Sequence, residues 1–190
     1  VYGRPKEERM TTAIATLRTR QFDTPLGTMR AVVADDGVVL LDFHDRTGFD
    51  GALARAMAAY ASDAEPLACD DPLLDQVEAE IAEYFAGTRS AFTLPLARRL
   101  GTAFERAAWE YLLTIPHGET RTYGAQAKAL GDAGAARAVG RANGQNFVAI
   151  AIPCHRVVGA SGHLTGYGGG VDRKRWLLDH EQRGLFAAPR

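Results

Sequence analysis

The sequence predicts an α/β chain in two parts. A small N-terminal sheet-and-helix unit over 21–97 is preceded by a loose tail over 1–20. A mainly helical C-terminal unit over 98–190 carries a helix-turn-helix. Three observations predict this. Short β-rich runs flank Asp35-Asp36-Gly37, a hairpin signal. Apolar residues then recur at helical spacing between glycine and proline breaks. Charge divides along the same boundary: residues 1–97 hold 9 Lys/Arg against 16 Asp/Glu, and residues 98–190 hold 13 against 7.

Each element follows from local pattern. Residues 1–16 are polar and aperiodic. Thr28 to Ala34 and Val38 to Phe43 read as strands, and Phe49 to Ala61 as a helix. Pro72 to Ala86 places Leu73, Val77, Ile81 and Tyr84/Phe85 at helix spacing, with Gly87 as its cap. Residues 88–100, with Pro95 and Arg98-Arg99, read as a linker. An amphipathic helix from Thr102 to Leu113 ends at Ile115-Pro116-His117-Gly118. Thr122-Tyr123 leads a helix to Leu130; Gly131-Asp132-Ala133-Gly134 breaks it; a second helix covers Ala135 to Ala142. Two short helices about a glycine-containing turn make a helix-turn-helix. A last helix runs through Arg173 to Glu181.

The bulk numbers exclude several classes. A chain of 190 residues can bury a substantial core as one large or two small domains. No apolar stretch is long enough for a membrane span, no signal-peptide pattern opens the chain, and Val1 suggests a processed, trimmed or excised start. Two cysteines, Cys69 and Cys154, provide no disulfide framework and too few ligands for a cysteine-rich zinc site. A reducing cytoplasm fits best and would keep Cys154 free. The basic second half suits an anionic partner such as nucleic acid, and equally a dipolar surface without one.

The chemistry centres on Ile152-Pro153-Cys154-His155-Arg156. A thiol acts as a nucleophile only when deprotonated, and histidine is the side chain suited to take that proton near neutrality. Taken alone, the pair is also compatible with a small buried cysteine. In the second helix of the helix-turn-helix, Arg137 and Arg141 stand four residues apart among Ala136, Ala138 and Gly140. So bald a helix suits close approach to a narrow groove with an intruding arginine, or tight packing with both arginines solvated. Thr165-Gly166-Tyr167-Gly168-Gly169-Gly170 lacks the lysine and spacing of a phosphate-binding loop, and suits a wall closing on a planar ligand.

Together these residues resemble a known family. Ile115-Pro116-x-Gly118-x-Thr120, Thr122-Tyr123, Ala135 to Gly140, Asn146, Pro153 to Val157, Gly166-Tyr167 and Leu177-Leu178-x-x-Glu181 match, in order and separation, the catalytic domain of the O6-alkylguanine-DNA alkyltransferases. The first half resembles, more loosely, that family's ribonuclease-H-like N-terminal domain.

The resemblance implies DNA repair by direct, irreversible transfer of an alkyl group from O6-alkylguanine in duplex DNA to Cys154, each molecule acting once. It makes His155 the base, through a water, and Glu181 its orienting carboxylate. Asn146 becomes a hinge before the active-site turn, and Tyr123 a donor to the leaving base. It places Arg137 in the space of a flipped nucleotide, with Ala136, Ala138, Gly140 and Arg141 along the minor groove. Pro153, Val157, Tyr167, Gly168 and Lys174 would line the pocket. It implies no cofactor, since the DNA itself is the alkyl donor, and leaves O4-alkylthymine and cooperativity on DNA open. Some members of that family carry a structural zinc in the first domain; only Cys69 is available there, with His44 distant in sequence, so no metal is expected, and the chain is expected to be a monomer without membrane association. Two rivals use fewer of these residues: a transcriptional regulator with an incidental cysteine, and a cysteine hydrolase.

Departures from the family pattern are also legible. Phe147 stands where proline is usual, Arg141 where a small residue is common. The small pair Gly168-Gly169 suggests an open pocket that admits bulky adducts such as O6-benzylguanine.

Overall fold

A computed structural model describes residues 16–186. Strands β1 (Arg18–Thr24), β2 (Gly27–Ala34) and β3 (Gly37–Phe43) form an antiparallel meander. A short β4 (Leu67–Ala68) joins β1 in parallel, giving the order β3-β2-β1-β4. The β2–β3 turn requires glycine: Gly37 has φ +134°, and a Cβ there would lie 2.5 Å from the Pro95 carbonyl oxygen.

β1 begins inside the segment expected as tail. Thr19 and Phe22 within it are buried, as is Leu17 just before it. Arg18 and Arg20 instead reach Asp71 and Asp75, each at 2.6 Å. Paired arginines at alternate positions hide a strand from any reading of hydrophobicity. The rest of that tail, residues 1–15, lies outside the described residues.

Helices α1 (Phe49–Ala59) and α2 (Pro72–Phe85) cover the sheet. α2 starts where it does because the Asp71 carboxylate accepts from the Leu73 and Leu74 N–H groups and Pro72 tolerates the first turn. It buries Leu74, Val77, Ile81 and Tyr84.

The second unit opens with α3 (Ala103–Leu113), held by a reciprocal capping box between Thr102 and Glu105. β5 (Arg121–Thr122) leads directly into α4 (Tyr123–Ala129), and α5 (Ala136–Gly144) follows the expected glycine break. A single 3₁₀ turn spans Cys154–Arg156. β6 (Val157–Val158) pairs in parallel with β5, and α6 (Val171–Phe186) closes the described chain. Buried amides lock α3, α4 and α5 together: Gln126 and Asn143 exchange hydrogen bonds, and Gln126 also donates to the Ala108 carbonyl at 2.9 Å.

The two units share one hydrophobic core, and the seam is the open edge of β3. Leu41 N–H donates to Phe147 O at 2.8 Å and Ala149 N–H returns to Leu41 O at 2.7 Å. Val38 likewise exchanges bonds with Pro95 and Ala97, so the segment expected as a linker is strapped along the sheet. An edge strand left bare would expose unpaired backbone groups; here the segment leading to Cys154 covers it. Among the described residues, no helix is long and apolar enough to cross a membrane, and no group of three His, Cys, Asp or Glu could hold a metal ion.

Candidate active site

The segment from Asn146 to Arg156 is buried apart from Cys154, which keeps partial exposure. Its bend puts Ile150 at φ +70°, rare for a β-branched residue and sustained only where the surroundings over-determine it. Asn146 supplies much of that determination. Its side chain accepts from Val148 N–H at 3.0 Å, donates to Ile152 O at 2.8 Å, and lies 3.4 Å from Cys154 Sγ. Asn146 therefore joins both ends of the bend and touches the thiol. Burial pushes the Cys154 thiol up, while the Asn146 hydrogen bond pulls it down.

His155 and Glu181 meet in the core, completely removed from solvent, with Nε2 at 2.7 Å from Oε1. The carboxylate also accepts from Tyr84 OH at 2.9 Å, Gly118 N–H at 3.0 Å, and Arg156 through Nε and Nη2 at 2.8 and 3.0 Å. Burial alone would raise this carboxyl, but the bonds from His155 and Arg156 outweigh it and hold Glu181 well below the usual range. An ionised acid can only accept, so His155 Nε2 carries the proton and Nδ1 keeps a lone pair. Burial also lowers the imidazole's own pKa, which favours the neutral ring. Nδ1 is buried and meets no hydrogen-bond partner among the described residues.

Lys174, fully buried, donates to Val157 O at 2.6 Å and Thr165 O at 2.9 Å. It thus ties the residues after Cys154 to the glycine-rich loop. Burial lowers its pKa, and the ammonium sits 5.6 Å above the centre of the Tyr123 ring. The Tyr123 hydroxyl points at the Thr165 and Gly166 carbonyls, at 3.1 and 3.2 Å. Tyr167 lines the same cavity as Cys154, with a buried hydroxyl that finds no hydrogen-bond partner among the described residues.

The helix-turn-helix presents Arg137 and Arg141 on an exposed face of α5, with Ala136 and Ala138 half-buried between solvent and core. Gly140 lies beside Tyr123: a Cβ there would make ordinary contact with the ring at 3.7 Å.

The glycines expected to be open have close neighbours, although Gly168 itself is exposed. A Cβ on Gly168 would meet the Arg46 guanidinium carbon at 3.2 Å, and one on Gly169 the Tyr167 ring at 2.8 Å. A side chain at either position would press on a neighbour. Nor is Phe147 a loosened proline position. Its ring packs edge-on against Trp109, 5.8 Å between centres, and the Arg55 guanidinium of α1 lies 5.0 Å above it.

Five contributors have no role assigned by sequence reasoning. Tyr84 and Gly118 reach Glu181 from distant segments, and Arg156 was read only as part of the motif. Asp42 and Arg46 come from the first unit and line the cavity of Cys154. The one available signal was Asp42 itself, an acid within the otherwise apolar run Val38 to Phe43.

Fold and site define a class: a two-domain α/β protein whose helix-turn-helix unit carries a thiol beside a buried imidazole–carboxylate pair. Two family models match in register, the 6-O-methylguanine DNA methyltransferase ribonuclease-like domain over residues 17–98 and its DNA binding domain over 103–183. The chain belongs to this family. A Mycobacterium leprae methylated-DNA–protein-cysteine methyltransferase is 40% identical over 183 residues, covering 90% of this chain and 96% of its own. A namesake from Mycobacterium tuberculosis is 57% identical over 109 residues, and that match spans only 63% of its length. The crystal structure of Mycobacterium tuberculosis OGT in complex with DNA superposes with a TM-score of 0.75 at 40% identity, covering 88% of this chain and 94% of that one.

Proposed function

We propose that this protein repairs O6-alkylguanine in duplex DNA by moving the alkyl group irreversibly onto Cys154. The observation that carries the reading is the His155–Glu181 pair. Its geometry leaves Nδ1 as a buried lone pair on the residue next to the thiol. That is the nucleophile–base–orienter logic of activated cysteines.

In this reading His155 takes the thiol proton through an intervening water. The thiolate attacks the alkyl carbon, the S–C bond forms as the C–O6 bond breaks, and the electron pair stays with guanine, which then takes up a proton. Tyr123 turns its hydroxyl from the Thr165 and Gly166 carbonyls to the base, easing the negative charge as it develops. Lys174 keeps the Val157 carbonyl and the glycine-rich loop in place around it. The thioether product is stable, so each molecule acts once.

A stacked guanine cannot reach Cys154, so the nucleotide must leave the helix at a cost of a few kcal/mol. Arg137, exposed on α5, fills the space it vacates, while Ala136 and Ala138 permit the close approach. Arg141 adds a phosphate contact. The relative solved with DNA supports nucleic acid as the partner.

The test is the intact mass of the chain before and after incubation with duplex DNA holding one O6-methylguanine, beside a Cys154→Ala control. A permanent gain of one methyl on Cys154, absent in the control, is expected. An unchanged mass despite tight lesion binding would make this a damage-recognition protein and overturn the transfer.

A further inference from the structure

Three buried side-chain polar atoms lack a partner among the described residues: His155 Nδ1, Tyr167 OH and Arg46 Nε. Native interiors leave few such atoms, and each calls for an explanation. The first belongs to the base. The other two line the cavity that holds Cys154 Sγ, together with Asp42, Asn146, Gly168 and Gly169. Tyr167 was expected there from sequence. Arg46 was not, and it comes from the other domain.

Arg46 is built into place. Its side chain is 10% exposed and that of Asp42 3%, the two forming an ion pair at the end of β3. Asp42 also accepts from Phe43 N–H at 2.8 Å. The guanidinium reaches on to the carbonyls of Gly144 and Asn146, at 3.3 and 3.4 Å, the second being the residue whose amide touches the thiol. On its other side it fills the space that a side chain at Gly168 would need. The cavity left between these groups is about 10 Å³. That is on the order of one water molecule and far short of a phenyl ring.

We infer that Arg46, braced by Asp42, is a specificity-determining residue: its guanidinium is the wall that limits how large an O6-alkyl group can reach Cys154. The inference rests on the repair reading above and deepens it. A methyl group adds little volume beside the sulfur. A benzyl group requires the wall to move, which means separating a buried ion pair and releasing the Gly144 and Asn146 carbonyls. Discrimination therefore lies in the first domain, outside the motifs that carry the chemistry.

The experiment compares second-order transfer rates, by intact mass, from O6-methylguanine and O6-benzylguanine in the same duplex. The benzyl-to-methyl ratio is taken within each preparation, so an unfolded fraction cancels. Arg46→Ala is expected to raise the ratio at least tenfold over wild type, and Arg46→Met, which keeps the stem, to raise it less. Arg55→Ala serves as the comparison, because Arg55 reaches the same loop at Gln145 and Phe147 from outside the cavity, and its ratio should stay at the wild-type value. Methyl transfer with an unchanged ratio in both Arg46 variants would overturn the inference, as would a wild type that takes benzyl as fast as methyl. Loss of both reactions in both variants would assign Arg46 to holding the loop and overturn it too. No methyl transfer by the wild type would instead sink the repair reading itself.

Discussion

His155 Nε2 stands 2.7 Å from Glu181 Oε1, and neither side chain touches solvent. The carboxylate answers to donors from three segments, so one acid of α6 sets the imidazole's tautomer and fastens α2, the Gly118 turn and the Cys154–Arg156 turn around it. Glu181→Gln keeps the shape but brings an N–H among donors and leaves Arg156 without its counter-charge. Breaking a buried pair costs about 3–5 kcal/mol, and losing an oriented base costs roughly 10²–10⁴ in rate. Urea denaturation should show a loss in that range. The methyl-transfer rate, measured on the fraction still folded, should fall by at least about 100-fold. A rate within threefold of wild type would remove Glu181 from the mechanism.

The same pair sets a pH dependence. His155 is held below its ordinary 6.5 by burial, and Glu181 below its ordinary 4.5 by His155 and Arg156. Both folded values are depressed, so each group's contribution is full above its ordinary value and is lost as pH falls through the folded one. Asp42 opposes them: burial raises it from 3.8 to about 6, so its contribution is full below 3.8 and is lost as pH rises towards 6. Unfolding free energy should decline from neutral pH downward, with the Asp42 effect partly cancelling the decline between 4 and 6. Asp42→Asn should steepen that limb and Glu181→Gln should flatten it, as read from denaturant midpoints at stepped pH. Parallel curves for all three proteins would show that these groups do not govern acid stability.

Arg137 is exposed on α5, and none of the hydrogen bonds or ion pairs within the described residues uses it. Arg137→Ala should therefore change stability by less than about 0.5 kcal/mol. Its effect should appear on DNA: the transfer rate from duplex O6-methylguanine should drop at least tenfold, and the rate from the same strand unpaired should drop far less, because nothing there has to be flipped. Equal losses on both substrates would make Arg137 a plain phosphate contact.

Phe147 joins the domains through Trp109 and Arg55 and is 3% exposed. Phe147→Ala should cost about 3–5 kcal/mol, the usual range for emptying a buried phenyl site. Arg55→Ala should cost at most about 1 kcal/mol, as an outer cation–π contact. Comparable melting temperatures for wild type and Phe147→Ala would mean that the loop before Cys154 is held by its backbone bonds to β3 alone.

Much of the fold was legible because its signals are local. The Asp-Asp-Gly hairpin, the α2 stripe and the glycine break of the helix-turn-helix each depend on a few neighbouring residues, and all appear within a residue or two of expectation. β1 was legible only in part, since Arg18 and Arg20 pair with acids more than fifty residues away. The two-residue strands β4, β5 and β6 carry no pattern of their own and exist because a partner strand passes by. The glycines at 168 and 169 misled for the same reason: an absent side chain marks either room or pressure, and only the neighbours decide which.

Sequence alone, through its resemblance to the alkyltransferases, singled out the candidates: Cys154, His155, Glu181 and the helix that bears Arg137. That resemblance rests on the order and separation of motifs along the chain, so it needs no tertiary structure. Tertiary structure decided what surrounds the thiol. Asp42 and Arg46 stand more than a hundred residues before Cys154, and Tyr84 nearly a hundred before Glu181. They reach the site because the open edge of β3 takes up the backbone of Phe147 and Ala149. Hydrogen-bonding groups on a sheet edge must find partners, and the partner found there brings the first domain's charges against the second domain's nucleophile.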